Sequence, residues 1–285
     1  MIVQSDIPTI SDIEEAEMVA AAIAWSQRMG FMIQIPGTEG KGATSVHAPF
    51  TLFPSKVSEQ DLRAVELVQP VINSLVDKLA RNHAFLSDVC SDLSADDFSQ
   101  NLFEIYKQCH DAPISQQIWF GIHRSDYMLH RSTPSDDFSL KQVEMNTISA
   151  GLVSLSSICC RLHSYLADRF GLYANISSTL PTHSIFEIPK AISEVWKLYG
   201  SPEAVVLMVV QPVEFNMYDQ GWIEHALFEN YRIILLRKTL LQISLEATLN
   251  GAENRLFIKD TEVAVVYFRS GYGPKDYSSP KVLSS

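Results

Sequence analysis

The sequence is short of several things that usually announce a function. Its 285 residues hold four cysteines, Cys90, Cys109, Cys159 and Cys160, with no CxxC spacing. So few unspaced thiols exclude a disulfide scaffold or a zinc ribbon, and reduced thiols in the cytosol are the simplest reading. The eight histidines fall in no HxxxH or HExxH pattern, which removes the usual helical zinc site. No GxSxG nucleophile elbow, GxGxxG fingerprint or GxxxxGK[ST] loop occurs. Basic residues are scarce: 22 Lys and Arg against 33 Asp and Glu, a net charge of −11. That balance argues against nucleic acid as a partner, since phosphate backbones demand a basic excess. It leaves anionic small substrates open, because a few arginines can be concentrated locally. Long apolar runs are missing too. Met18 to Trp25 and Ala204 to Val210 come nearest, and both fall short of the roughly 18 residues of a membrane helix. The N-terminal MIVQSDIPTISDIEEAE has no basic start followed by an apolar run, so it does not read as a signal peptide.

What remains is a chain with 46% hydrophobic and 19% charged residues, enough apolar content to fold rather than stay disordered. The pattern predicts an α/β protein. Ser11 and Glu14 form a capping box ahead of Met18, Val19, Ala22, Ile23 and Trp25. Pro36 to Gly42 reads as a loop. Ser58 and Asp61 open a second helix with apolar residues at helical spacing from Leu62 to Leu79, kinked or divided at Pro70. A third begins near Ser94. Gln117 to Gly121 and Leu140 to Thr147 are strand candidates, followed by helices near Ser156 to Phe170 and Phe186 to Tyr199. Gly200 stands where a helix ends. Ala204 to Gln211 is a continuous apolar run, as a buried parallel strand requires. With helix Trp222 to Tyr231 and strand Arg232 to Arg237 it makes a βαβ unit, whose crossover should be right-handed. Arg255 to Lys259 and Val263 to Phe268 flank a turn at Asp260 to Glu262. The expected division is residues 1–183, a helical and mixed-sheet part, and residues 184–285, an α/β substrate-binding domain.

Four groups of residues offer chemistry. Glu144 and Asn146, two apart on a strand, share a face and leave Val143, Met145 and Thr147 to pack on the other. A carboxylate beside an amide oxygen suits a hard cation such as Mg²⁺. The plainer alternative, which spacing alone favours, is a solvated strand face. Arg124, after the first strand candidate, offers a planar guanidinium for a carboxylate or phosphate. It could equally be a surface arginine paired with Asp126. Glu214, Asn216 and Gln220 follow the apolar strand, where open α/β sheets bind ligands, although Asn216 or Asp219 could simply cap a helix. Arg269, Ser270, Gly271 and Tyr272 follow another strand, with Gly271 permitting a positive φ, or merely a turn. Cys159-Cys160 sits in a helical run and reads as packing.

In order along the chain, HAPFTLFPS (His47 to Ser55), RSDYM (Arg124 to Met128), QVEMNTIS (Gln142 to Ser149), LYGSP (Leu198 to Pro202), NMYDQ (Asn216 to Gln220) and VAVVYFRSGY (Val263 to Tyr272) resemble eukaryotic glutathione synthetases. The resemblance implies a partial ATP-grasp-type architecture, with a helical N-terminal region and mixed sheet followed by a Rossmann-like βαβ substrate-binding domain. It implies a cytoplasmic ligase, a homodimer in the family, that joins γ-glutamylcysteine to glycine using ATP and Mg²⁺ through an acyl phosphate. Carried over, Glu144 and Asn146 are Mg²⁺ ligands, Glu144 also lies near ATP, and Arg124 is a substrate and transition-state contact. Ile148, Ser149, Ala150, Gly151, Glu214, Phe215, Asn216, Gln220, Arg269, Ser270, Gly271 and Tyr272 form the γ-glutamylcysteine site.

The sequence departs from the family in three places. Ala150-Gly151-Leu152-Val153-Ser154 replaces a more glycine-rich continuation, and Ser270 stands where an aspartate is usual. The family also continues beyond the YFR-GY motif with ATP-contacting lysines, a glycine-rich loop and a further metal carboxylate, whereas this chain reads SSPKVLSS. The expectation is therefore a C-terminally truncated member without most of the nucleotide clamp. The alternative to an active ligase is an inactive form that binds dipeptide or pairs with a full-length subunit.

Overall fold

The structure is a computed structural model. It describes residues 10–277 apart from 36, 39–42, 56, 92–95, 113–115, 134–138, 172–181, 252 and 253. Ser94, most of the Pro36 to Gly42 loop, Leu180 and Pro181 therefore lie outside the described residues. Two compact units emerge, each assembled from three separate stretches of chain: residues 1–57, 151–193 and 213–234 in the first, and 58–150, 194–212 and 235–285 in the second.

The first unit is a helical layer with a small ribbon. Helix α1 (Asp12–Arg28) starts at the capping box read from the sequence: the Ser11 hydroxyl accepts from the Glu14 amide, and Glu14 caps the Ser11 amide in return. Strands β1 (Met32–Gln34) and β2 (Ser45–His47) pair antiparallel. Helix α5 (Val153–Phe170) and helix α7 (Met217–Tyr231) complete the unit. Ala22, Trp25, Phe31, Leu155, Ile158, Leu162 and Leu166 form its buried core. On α5 these residues recur at three- and four-residue intervals, so one face of the helix is buried. Cys159 packs at the edge of this cluster, and burial pushes its thiol pKa up, with Cys160 adding to the effect. Cys159 is packing, as its helical position implied.

The second unit is built on a five-stranded sheet in the order β6-β5-β9-β8-β7. Strand β5 (Val205–Val209) is buried at every residue, which fits its central place. It pairs in parallel with both β6 (Leu235–Lys238) and β9 (Thr261–Phe268). Strands β7 (Ala247–Asn250) and β8 (Arg255–Ile258) continue antiparallel. The short helix α8 (Leu240–Glu246) precedes β7. Val205, Leu207, Ile258 and Val263 make the core here. Helix α6 (Ser184–Tyr199), whose residues up to Ser193 belong to the first unit, ends before Gly200, whose φ of +83° confirms its place after a helix terminus. The same unit carries helix α2 (Glu59–Ala80), with Pro70 inside it, then α3 (His83–Cys90) and α4 (Asp97–Asp111), none of which buries a residue. A two-stranded hairpin of β3 (Arg124–His130) and β4 (Ser139–Asn146) follows.

Several expectations need correction. Gln117 to Gly121 forms no strand; Ile118, Trp119 and Phe120 are exposed, and the strand begins at Arg124. β-forming residues need a neighbouring ladder, and β4 supplies one only from Arg124 onward. The Trp119 ring instead lies under the Arg81 guanidinium, 5.3 Å from its centroid. Pro70 does not divide α2. Arg232 is left-handed at φ +58°, so β6 starts at Leu235 rather than at Arg232. The turn between β8 and β9 is Lys259-Asp260, because Ile258 pairs with Thr261.

Candidate functional site

The β3–β4 hairpin gathers the first constellation. Arg124 stands opposite Asn146, and Asp126 opposite Glu144. Alternation along a strand puts all four on one face. Past Asp126 the register shifts, because Tyr127 faces Gln142 and leaves Val143 without a partner. The expected packing of Val143 beneath the site therefore fails; as the extra residue of a bulge it is 56% exposed. Met145 does meet a neighbour, accepting from the Ser125 hydroxyl at 3.1 Å.

The charges on that face are interlocked. Arg124 grips Asp126 through both edges of its fork, Nε to Oδ1 at 2.8 Å and Nη2 to Oδ2 at 3.0 Å. Its Nη2 also lies 4.0 Å from Glu144 Oε1. The Asn146 amide nitrogen donates to Glu144 Oε1 at 3.0 Å and to Asp126 Oδ2 at 3.2 Å. The Asp126 carboxyl is held below the usual carboxylate range, chiefly by its bond to Arg124. The guanidinium is held above its own ordinary value by the same bond. Asp126 is thus part of the cluster, and the sequence reading admitted it only as a surface counter-ion. Its position two residues from Arg124 was the available signal.

The donor set suits a hard cation. Glu144 and Asn146 present oxygen ligands at a water-accessible place, and Mg²⁺ ordinarily keeps several waters. Asn146 turns its nitrogen inward because both facing groups are carboxylates; a half-turn of the amide would present its oxygen to a cation. Among the described residues, no three His, Cys, Asp or Glu side chains form a self-sufficient metal cage.

The segment after β4 carries the next candidates. Ile148 is 43% exposed, Ser149 adopts φ +53°, and Ala150 is buried. The Ser149 hydroxyl oxygen is buried with no hydrogen-bond partner, an uncommon state that a polar ligand would relieve. The Ala150 carbonyl accepts from Arg269 Nη1, tying this segment to the loop after β9. Arg269 and Ser270 are almost fully buried, whereas Tyr272 is half exposed. The Arg269 amide donates to Val209 at 2.9 Å, extending the β5–β9 ladder by one step. Gly271, at φ +101°, takes the backbone conformation for which glycine was expected there.

Gly151, Glu214, Phe215, Asn216 and Gln220 belong to the first unit. Glu214 Oε1 accepts from the Asn216 amide at 2.9 Å, while Oε2 is buried without a hydrogen-bond partner. Phe215 is 39% exposed and Gln220 is buried. Asn216 occupies the start of α7 without making a side-chain cap. Asp219 does cap a helix, but not its own. Its Oδ1 accepts from the amides of Ser154 at 2.7 Å and Leu155 at 3.0 Å, at the start of α5. That long-range cap could not be read from spacing along α7.

These arrangements define a mixed α/β protein with a guanidinium–carboxylate face on its two-stranded hairpin. Its backbone superposes on a glutathione synthetase like-effector from Globodera pallida in its apo form, with a TM-score of 0.77 and 20% identity, over 93% of this chain and 60% of that one. At that identity the likeness concerns the fold. The sequence matches the eukaryotic glutathione synthase ATP binding domain over residues 12–270. It is 39% identical over 233 residues to a glutathione synthetase of Homo sapiens, covering 81% of this chain and 48% of the human one. It is 34% identical over 281 residues to a chloroplastic glutathione synthetase of Arabidopsis thaliana, covering 96% and 51%. The chain belongs to the eukaryotic glutathione synthase family. It spans about half the length of the curated relatives it matches. Among the described residues, no helix is long and apolar enough to cross a membrane.

Proposed function

We propose that this protein serves glutathione synthesis, as an ATP- and Mg²⁺-dependent ligase that joins γ-glutamylcysteine to glycine. The observation that carries the reading is the convergence of Arg124, Asp126, Glu144 and Asn146 on one face of the β3–β4 hairpin. Activating a carboxylate with a phosphoryl group crowds negative charge into one place, and positioned cations and guanidinium groups offset it. A bound Mg²⁺ would supply Lewis-acid neutralisation of the phosphate oxygens, held by Glu144 and Asn146. Arg124 supplies the fixed positive charge of the chain itself. Its bidentate hold on Asp126 sets the direction of the guanidinium plane before any ligand arrives.

The dipeptide carries two carboxylates, an ammonium group and a thiol. Within the second unit, the buried Ser149 hydroxyl has no protein partner and can donate to a ligand carboxylate or carbonyl; Ile148, Ala150, Arg269, Ser270, Gly271 and Tyr272 are proposed dipeptide contacts by likeness to the family. Within the first unit, Glu214 Oε2 is likewise buried without a hydrogen-bond partner and suits an ammonium group; Gly151, Phe215, Asn216 and Gln220 are proposed on the same ground. A cytoplasmic location and a homodimer are part of the same proposal, by likeness to the family.

The test is phosphate release by the purified protein with ATP, glycine and γ-glutamylcysteine. The expected result is release that requires all three, disappears with Arg124→Ala and is accompanied by tripeptide formation. Release that ignores the dipeptide, or survives loss of Arg124, refutes the assignment.

A further inference from the structure

Beyond β9 the chain turns through Arg269 to Gly273 and enters a short 3-10 turn, Pro274–Asp276. Asp276 is 6% exposed and folds back onto the loop it has just left. Its Oδ2 accepts from three successive backbone amides: Gly271 at 2.9 Å, Tyr272 at 3.2 Å and Gly273 at 3.3 Å. Its Oδ1 accepts from Gln211 Nε2 at 3.2 Å, and the same nitrogen donates to the Tyr272 hydroxyl at 3.1 Å. The Tyr277 hydroxyl donates to the Gly271 carbonyl at 3.1 Å. Every member of this network lies in the second unit.

Successive amides that converge on one point form an anion-binding concavity. Here the chain's own carboxylate fills it. The three N–H dipoles point inward together, and the negative charge at their focus favours that arrangement. The loop therefore cannot offer these amides to a ligand carboxylate. What it presents is the half-exposed Tyr272 ring, whose hydroxyl is steered by Gln211, beside the nearly buried Arg269 and Ser270. Gly271 fits this arrangement: a Cβ there would add strain at positive φ and approach the Tyr277 hydroxyl to 3.4 Å.

We propose that Asp276 is a positioning residue for the γ-glutamylcysteine site: its carboxylate, seated in the 271–273 amide concavity and bridged through Gln211 to Tyr272, holds the Arg269–Tyr272 loop in its ligand-ready shape. This rests on the loop's assignment to the dipeptide under the proposed function. Asparagine has nearly the same shape and can keep its partners if the Gln211 amide turns over, but it removes the negative charge on which the three N–H dipoles converge.

The experiment combines calorimetric titration of γ-glutamylcysteine with hydrogen exchange of the 271–273 amides, in the wild-type chain, Asp276→Asn and Asp276→Ala. The charge-assisted bonds at stake predict that Asp276→Asn weakens dipeptide binding about tenfold or more. The three amides should exchange faster than the accompanying fall in the urea midpoint accounts for. Added formate should refill the space left by Asp276→Ala, restoring both protection and affinity. This also decides the matter if the asparagine variant folds poorly. Amides that stay protected in both variants overturn the carboxylate's hold on the loop. Faster exchange with wild-type affinity overturns its role toward the ligand. A wild-type chain that binds no dipeptide, with protection still lost in the variants, refutes the proposed function and removes the dipeptide from the role, while leaving the carboxylate's grip on the loop demonstrated.

Discussion

Asp219→Ala removes the group that closes the start of α5. In the native protein one carboxylate oxygen accepts from the Ser154 and Leu155 amides, and Asp219 is fully buried. Those amides are among the four at a helix start that have no partner within the helix. A hydrogen bond to a charged group contributes about 1.5–3 kcal/mol, and a buried amide left without an acceptor costs a comparable amount. Two such bonds, with water able to replace part of the loss, put the destabilisation at about 3–5 kcal/mol. Asp219→Asn keeps an acceptor oxygen but loses the charge at the positive end of the helix dipole, for a smaller cost of about 1–2 kcal/mol. Urea unfolding followed by tryptophan fluorescence is the assay, since Trp25 lies in the core of the same unit and Trp222 packs against it. The midpoint should fall in the order wild type, Asn, Ala, with an unchanged slope. An alanine variant within about 0.5 kcal/mol of wild type, the range of ordinary surface changes, would show that the cap carries no weight.

Other perturbations probe the rest of the molecule. Arg124→Lys keeps the charge but loses the two-pronged grip on Asp126. Ligase activity should fall by about a hundredfold or more with an unchanged melting temperature, since fixed transition-state donors carry effects of that order; near-normal turnover would show that charge alone suffices. Asp126 titrates below its usual range in the folded protein. Its contribution to stability is therefore complete above about pH 4, the unfolded value, and is lost as pH falls through the lower folded value. The effect is small because the pair is partly open to water, and Asp126→Asn should flatten the acid limb of a stability–pH curve. Leu67, Val71 and Leu75 on α2 are 79%, 66% and 54% exposed. An apolar stripe of that kind favours association, so sedimentation should show self-association that Leu67→Lys with Leu75→Lys relieves. A monodisperse wild-type monomer would contradict it.

Local signals were legible in the sequence where the partner is near. The Ser11 capping box, the glycine after α6, the uninterrupted apolar run of β5 and the positive φ of Gly271 each rest on a few adjacent residues. What escaped depends on distant partners. Gln117 to Gly121 has the composition of a strand but no ladder beside it. Strands β1 and β2 are three residues long, too short to show a period. Strand β7 was not distinguished, since its four residues show no clear period. The same rule divides the site. Glu144 and Asn146 could be placed on one face from their spacing. Asp219 meets an amide 65 residues away in sequence, and Gln211 meets a carboxylate at the same separation, so neither role leaves a local trace.

The way each unit draws on three separate stretches of chain bears on how the protein is made. A ribosome delivers the chain from its N-terminus, and α1 emerges long before the partners that bury it. The first unit has no complete set of segments until Ile234 has left the exit tunnel, and β5 must wait longer still for β9 to take its place alongside. Half-made forms of both units therefore coexist during synthesis, with Trp25 and the β5 run uncovered. Nascent chains paused short of residue 234 should be the ones that chaperones hold, whatever the finished protein's stability.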